Sequence, residues 1–293
     1  MAVNKKTIRT VLAIIVLAAT VGAFAYYITH HPTTITQLRE LPLQTILLLL
    51  GLYVLFMVAL AWIQRATLSL CGLRLPRGES FLLMSYSSII NFFGPLQSGP
   101  AFRAAYLKKK YDVNLKSYTL ATLCYYGFYA AFSGLFILTY WIGLYALAGI
   151  IFIIVASPFI LRNPSIQRRL PERFRKLQLQ HIGTLAAATI AQVSIFAVIF
   201  YVELNSLGNR VAAIPALIYT GAANLALFVS VTPAAIGFRE AFVLFTQNLH
   251  HISNDVIVTA SLIDRGVYVL FLGLLAAVVF GLHAERYLKN RMR

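Results

Sequence analysis

Apolar residues fill six runs of the sequence that are each about as long as a membrane-spanning helix. An α-helix rises about 1.5 Å per residue, so crossing the hydrocarbon core takes roughly 20 predominantly apolar residues. The six runs cover residues 10–28, 43–63, 117–140, 142–161, 182–204 and 256–281. This pattern predicts an all-α polytopic membrane protein.

Two further apolar stretches, residues 80–110 and 211–250, are interrupted by proline and glycine. Basic loops are typical of the cytoplasmic side of a membrane. Basic residues flank the first stretch at both ends, whereas the loops beside the second are nearly neutral. We therefore expect two re-entrant helical hairpins that enter from opposite sides, six full spans, and both termini in the cytoplasm. Residues 211–231 are long enough to span alone, so eight spans is the alternative count.

Composition supports a membrane location and argues against a nucleic-acid partner. The chain is 59% hydrophobic and 12% charged, with a mean hydropathy of +0.76. That leaves too little polar surface to cover a soluble globule. The net charge of +16 is concentrated in short loops such as residues 162–176. We expect a multi-pass protein of a bacterial or archaeal cell membrane whose basic loops attract anionic lipids.

The two interrupted stretches resemble each other. Residues 95–99 read PLQSG and residues 233–237 read PAAIG, 138 positions later. Beyond them, the sixteen residues from Ala121 share seven identities with the sixteen from Ala260. Together with the opposite sidedness of the hairpins, this predicts an inverted repeat within one membrane domain, as in many transporters. The first repeat would cover about residues 43–140 and the second about 182–283.

Breaks in a membrane helix free backbone groups that are costly in hydrocarbon unless they line protein or a polar cavity. A helix that begins near Pro100 would direct its N–H groups into such a cavity, with Arg103 one turn further on as a counter-charge for an anionic head group. The second hairpin offers the same arrangement at Arg239. The predicted substrate-binding residues are Arg103, Arg239, Gly99, Gly237, Pro95 and Pro233.

Charged residues within the last apolar run need a partner or a polar pathway, because a charge in the bilayer centre costs at least about 2.5 kcal/mol. Asp264 and Arg265 lie in this run, and Glu240 follows Arg239 in the second hairpin. We expect ion pairs, either Arg239 with Asp264 or Glu240 with Arg265. These residues would gate the site or balance its charge; a purely structural pairing is the alternative.

Other polar residues suggest weaker hypotheses. Glu203 falls at a predicted helix end and is expected to be solvated, and His250 and His251 are expected on the surface of an external loop. Tyr125, Tyr126 and Tyr129 could form an aromatic face for a lipid cation, or serve in packing and interface anchoring. The sequence contains no nucleotide fingerprint, zinc motif or nucleophile elbow, so we expect neither enzymatic activity nor a cofactor or metal.

The segments PLQSGPAFRAAYL, TPAAIGFRE and SLIDRGVYVLFLGLL resemble the flippase-like transmembrane domain of lysylphosphatidylglycerol synthases. Family members typically have a proline and glycine, an acidic residue and then an arginine in the first motif, and Pro-Gly-Gly-x-Gly-x-Arg-Glu in the second. Here Pro100 stands where the acid is usual, and Ala234 and Ala235 replace glycines. No acyltransferase domain follows, so the expectation is a stand-alone member.

The resemblance implies translocation of a lipid between leaflets. Our leading expectation is a flippase-like translocase for an anionic phospholipid or lipid-linked precursor. One alternative is a membrane anchor or subunit that docks a separate lipid-modifying enzyme through the basic loop 162–176. The expected protein partner is either such an enzyme or a second copy of the chain in a homo-oligomer. Another is an ion-coupled carrier of small solutes.

Overall fold

The computed structural model describes residues 39–94, 98–161, 179–206, 210–230 and 237–291, with the isolated residues 29, 163, 164, 168, 208 and 235. Ten α-helices lie within these residues. They are α1 (Leu43–Leu70), α2 (Arg77–Phe93), α3 (Ser98–Tyr111), α4 (Leu115–Ile142), α5 (Ala146–Leu161), α6 (Leu179–Asn205), α7 (Ala213–Val229), α8 (Phe238–Phe245), α9 (Gln247–His250) and α10 (Asn254–Arg291).

Four helices are long and apolar enough to cross a membrane: α1, α4, α6 and the Asn254–Gly281 part of α10. They coincide with four of the six predicted spans. The predicted span 142–161 is instead the 16-residue helix α5, which follows a 3₁₀ turn at Gly143–Tyr145. Gly143 ends α4 because its φ of 55° is a conformation that favours glycine. The predicted first span, 10–28, and most of the basic loop 162–176 lie outside the described residues.

The first hairpin, formed by α2 and α3, has two arms in close contact. A Cβ atom added to Gly99 would lie 2.6 Å from the carbonyl oxygen of Ser87, so only glycine permits this approach. The amide of Gly99 also donates to Asn91 Oδ1 at 3.2 Å. Both arms are shorter than the four long helices, in agreement with the predicted break of residues 80–110.

A carboxylate joins the ends of the first hairpin. Glu79, near the start of α2, accepts hydrogen bonds from Tyr106 (2.7 Å), Lys110 (2.9 Å) and Tyr111 (2.7 Å) near the end of α3. Burial raises the pKa of Glu79, but these three hydrogen bonds outweigh it, so its pKa lies below the ordinary value. The base of the hairpin is therefore held by an ionised acid.

The second hairpin consists of α7 followed by α8 and α9. α7 has 17 residues, which corresponds to about 26 Å, slightly less than the thickness of the hydrocarbon core. Gly237 starts α8 with a φ of 83°, a left-handed conformation that side-chain-bearing residues adopt at a cost. Ala235 also has a positive φ, 55°.

The long helices of each predicted repeat pack against the short helices of the other. α6 packs along α1 at the centre, α7 packs on α4, and α2 packs on α10. The contact between α7 and α4 is close, because a Cβ atom at Gly221 would overlap the carbonyl of Ser133.

Candidate functional site

A cavity of about 210 Å³ lies between the two hairpins and the long helices α1, α4, α6 and α10. Its apolar walls carry an unusual number of polar and charged groups for the interior of a membrane protein. The polar lining residues are Tyr53, Ser87, Ser88, Asn91, Arg103, Tyr125, Tyr126, Tyr129, Gln192, Ser230, Arg239, Asp264, Arg265 and Tyr268. We call it the central cavity.

Arg239 of the second hairpin is bound to a carboxylate of α10. Its Nη1 atom donates to Asp264 Oδ2 at 2.6 Å, and its guanidinium lies 4.6 Å from the ring centroid of Phe200. The other oxygen of Asp264 accepts a 2.6 Å hydrogen bond from Tyr53 on α1. Arg239 and Asp264 are both more than 90% buried, so this pair joins the second hairpin to two long helices without solvent screening.

A second ion pair lies beside the first. Arg265 Nη2 donates to Glu240 Oε1 at 2.5 Å. The other oxygen of Glu240 accepts from the amide of Gly237 at 2.8 Å, which caps the N-terminus of α8. Both predicted pairs are therefore present together. Glu240 does not line the cavity itself, but it binds Arg265, which does.

Arg103 of the first hairpin differs from Arg239. Its Nη1 atom donates to the sulfur of Met84 at 3.1 Å, and its Nε atom is buried without a hydrogen-bond partner among the described residues. Among the described residues, Arg103 forms no ion pair with a carboxylate. The charge of Arg103 is therefore less compensated by its surroundings than that of Arg239.

The tyrosines of α4 line the same cavity near Arg103. Tyr125 donates to Gln192 Oε1 of α6 at 3.1 Å. The rings of Tyr126 and Tyr129 lie 5.7 Å and 6.0 Å from that of Phe228. The predicted aromatic face thus exists, although these rings also pack on one another and on the second hairpin.

A smaller polar pocket of about 30 Å³ adjoins the central cavity. Arg103, Leu60 and Tyr125 line both spaces. The remaining polar walls of the smaller pocket come from Gln64, Thr67, Tyr118 and Thr122. Polar groups therefore continue from Arg103 toward the end of α1 and the start of α4.

Of the predicted site residues, Arg103, Arg239, Asp264 and Arg265 all line the central cavity. Gly99 and Gly237 do not line it; the first allows close packing of the hairpin arms and the second starts α8. Pro95 and Pro233 lie outside the described residues.

Two expectations about solvation were wrong. Glu203 is only 2% exposed, because α6 continues to Asn205 and packs against α7 and α10 there. His250 is also 2% exposed: its Nδ1 accepts from the amide of Ile252 (3.1 Å), so Nε2 carries the proton and donates to the carbonyl of Val243 (3.0 Å). His251 is exposed, as expected.

Sequence reasoning did not identify Tyr53, Met84, Gln192 or Glu79. A tyrosine or glutamine in an apolar run resembles an interface anchor or a packing residue, and no local pattern distinguishes it. Only the three-dimensional pairing of α1 with α10 and of α6 with α4 shows that Tyr53 and Gln192 reach the cavity.

Comparison with known proteins gives one match. The family model described as "Lysylphosphatidylglycerol synthase TM region" matches residues 10–276. No curated protein and no solved structure was found to match the chain. The family match covers most of the sequence and includes both hairpins and the central cavity, in keeping with a multi-pass membrane protein. The chain therefore belongs to the lysylphosphatidylglycerol synthase TM region family.

Proposed function

We propose that this protein is a lipid translocase that moves an anionic phospholipid or a lipid-linked precursor between leaflets. The observation that carries the proposal is Arg103, a cavity-lining cation with no carboxylate partner among the described residues. The family supports a membrane domain associated with lipid modification or translocation.

The charges around the central cavity favour an anionic ligand. Arg239 is balanced by Asp264 and Arg265 by Glu240, which leaves the positive charge of Arg103 in excess. A phosphate could satisfy this charge, and the guanidinium geometry suits two parallel hydrogen bonds to phosphate oxygens. We therefore assign head-group binding chiefly to Arg103, and charge balance to the Arg239–Asp264 pair.

The size of the central cavity fits a head group better than a whole lipid. Its volume of about 210 Å³ is below the roughly 300–1,000 Å³ of sites that enclose a drug-sized ligand. In the proposed mechanism the phosphate and its polar substituent enter the cavity, while the acyl chains stay in the bilayer. The smaller pocket beyond Arg103 would extend the polar route along α1 and α4.

The test is leaflet exchange of fluorescent phospholipids in liposomes that contain purified protein. Wild-type protein should accelerate exchange of an anionic lipid more than that of a zwitterionic one. Arg103→Gln should remove most of the acceleration, and Arg103→Gln/Arg239→Gln should abolish it. Lys109→Gln is the matched control: it removes one positive charge from the same helix at an exposed position, and should leave exchange unchanged.

Each other result points to a different function. If well-folded wild-type protein accelerates no lipid, the translocase proposal fails and anchoring of a lipid-modifying enzyme becomes the favoured alternative. If Arg103→Gln and Lys109→Gln reduce exchange equally, Arg103 is not the head-group site. Uptake of a small anionic solute without lipid exchange would favour a solute carrier.

A further inference from the structure

Glu203 is a buried carboxyl group without a hydrogen-bond partner among the described residues. Its side chain lies near the end of α6 and is 2% exposed, and neither carboxyl oxygen has a donor within reach. An ionised carboxylate in this condition would lose its hydration without compensation, at a cost of several kcal/mol.

The surroundings of Glu203 contain one cation with unused hydrogen-bond donors. Arg239 stacks on Phe200, which lies one turn before Glu203 on the same helix. The Nε and Nη2 atoms of Arg239 are buried without acceptors, while its Nη1 binds Asp264. Arg239 thus interacts electrostatically with two acids, Glu203 and Asp264, and is bound to only the second.

Charged and titratable groups from four helices are in electrostatic contact with Glu203. They are Arg239 from α8 and Asp264 from α10, with the phenols of Tyr53 from α1 and Tyr219 from α7. Arg239 and Asp264 neutralise each other, so an ionised Glu203 would give the cluster a net charge of −1. A protonated Glu203 leaves it neutral.

We propose that Glu203 is a proton-binding site that controls which acid Arg239 binds. With the proton on Glu203, Arg239 is paired with Asp264, as in this structure. When Glu203 releases its proton to the aqueous face where α6 ends, its carboxylate accepts hydrogen bonds from the unused Nε and Nη2 atoms of Arg239. The bond to Asp264 is then weakened, and with it the attachment of the second hairpin to α10.

The chain contains a neutral counterpart of Glu203. Gln64 of α1 lies 139 positions earlier, the same separation as between Tyr125 and Asp264 and between Tyr53 and Gln192. Gln64 is 3% exposed, and neither polar atom of its side-chain amide has a partner. An amide is therefore tolerated in a buried position of this kind, and Glu203→Gln should fold.

The first experiment detects the proton itself. Infrared spectra of the protein in an ester-free detergent should show the carbonyl stretch of a protonated carboxylic acid at neutral pH. With only nine Asp and Glu residues in the chain, one such band can be assigned by substitution. Glu203→Gln should remove it. Glu79→Gln should retain it, because Glu79 is ionised by its three hydrogen bonds.

A band that survives Glu203→Gln, or the absence of a band from wild-type protein, would overturn the proposal. This measurement does not depend on the proposed translocase function. If wild-type protein fails to exchange lipid but the band is assigned to Glu203, the function fails and the proton site stands.

The second experiment tests control of the hairpin and rests on the proposed function. Leaflet exchange of the anionic lipid should depend on pH in wild-type protein, and this dependence should disappear in Glu203→Gln. If Glu203→Gln keeps the wild-type pH dependence, the exchange of partners by Arg239 is rejected.

Discussion

Each hairpin contributes an arginine to the central cavity, but among the residues that the structure describes only the second arginine is held by a carboxylate. Arg239 binds Asp264 at 2.6 Å, whereas Arg103 contacts the sulfur of Met84. The long helix opposite each hairpin explains the difference. In the internal alignment, Tyr125 and Tyr126 of α4 occupy the positions that Asp264 and Arg265 occupy in α10.

The same alignment relates two hydrogen bonds in the structure. Tyr53 of α1 donates to Asp264 of α10, and Tyr125 of α4 donates to Gln192 of α6. Residues 53 and 192, like residues 125 and 264, are 139 positions apart. The inverted repeat stays a prediction, but the comparison shows that the second hairpin pairs its cavity arginine with a carboxylate, whereas the arginine of the first hairpin contacts a methionine sulfur.

The largest effect is expected from removing Asp264, the carboxylate that binds Arg239. Asp264→Asn leaves Arg239 buried without its counter-charge, and we expect a loss of about 3–5 kcal/mol in the free energy of unfolding. At the aligned position, Tyr125→Phe removes only one neutral hydrogen bond and should cost about 1 kcal/mol. Unfolding in detergent with increasing denaturant measures both.

Adding Arg239→Gln to Asp264→Asn should recover much of the loss, since the double variant no longer buries an unpaired charge. Equal losses for Asp264→Asn and Tyr125→Phe would contradict the view that a carboxylate holds the cavity arginine of the second hairpin more tightly than any contact holds that of the first.

The glycines of the two hairpins should respond differently to substitution. Gly99→Ala places a methyl group against the backbone of Ser87 and should cost about 2–3 kcal/mol through overpacking. A Cβ atom at Gly237 meets nothing within 4 Å, so Gly237→Ala should cost only about 1 kcal/mol, for its left-handed backbone.

Asparagine substitutions distinguish overpacking from backbone strain, because asparagine tolerates a left-handed backbone better than alanine but is larger. In the same unfolding assay, Gly237→Asn should therefore be milder than Gly237→Ala, and Gly99→Asn harsher than Gly99→Ala. The reverse order at either position would mean that its glycine has been assigned the wrong role.

Much of this fold could be predicted from the sequence. Long apolar runs have few alternatives to a spanning helix, and α1, α4, α6 and α10 were predicted for that reason. The length of the helix in the run 142–161 was overestimated. Gly143, which has a positive φ, ends α4, and α5 begins only at Ala146; hydropathy alone does not reveal this interruption.

The candidate site was predicted less completely. Charges inside apolar runs are conspicuous, so Asp264, Arg265 and Glu240 were found, with the correct pairs. Glu203 was expected to be solvated because it lies three residues from the start of a polar loop, and its burial depends on the packing of α6 against other helices. The contacts of Arg103 depend on its distances from α2 and α4, and no sequence pattern predicts those distances.

A negative charge introduced on α4 should give Arg103 a carboxylate partner like that of Arg239. Tyr125 and Arg103 both line the central cavity and interact electrostatically, so Tyr125→Asp would give Arg103 an internal partner. We expect exchange of anionic lipid to fall about tenfold, equivalent to roughly 1.4 kcal/mol of lost anion binding.

Tyr125→Asn is the control for that experiment, because it makes the same change in size without the charge. It should reduce exchange much less than Tyr125→Asp. Equal effects would show that the tyrosine ring, rather than an available arginine, is what the first half contributes.

The smallest expected effect is a difference in the pH at which the two hairpins loosen. Burial lowers the pKa of His250 below its ordinary 6.5, and its Nδ1 must stay unprotonated to accept from Ile252. Because the folded-state pKa is depressed, this stabilisation of the second hairpin is complete above about pH 6.5 and is lost as pH falls through the lower folded value.

Glu79 follows the same sign in a more acidic range. Its pKa lies below the ordinary 4.5, so its hydrogen bonds to α3 persist until the pH falls below about 4.5 and the carboxylate is protonated. Thermal unfolding midpoints measured from pH 8 to pH 3 should therefore fall in two steps. His250→Asn should remove the step at higher pH and leave the other, and Glu79→Gln should do the opposite. A single step that both substitutions weaken would mean that the two hairpins open together. The different partners of Arg103 and Arg239 would then affect the stability of one cooperative unit rather than two.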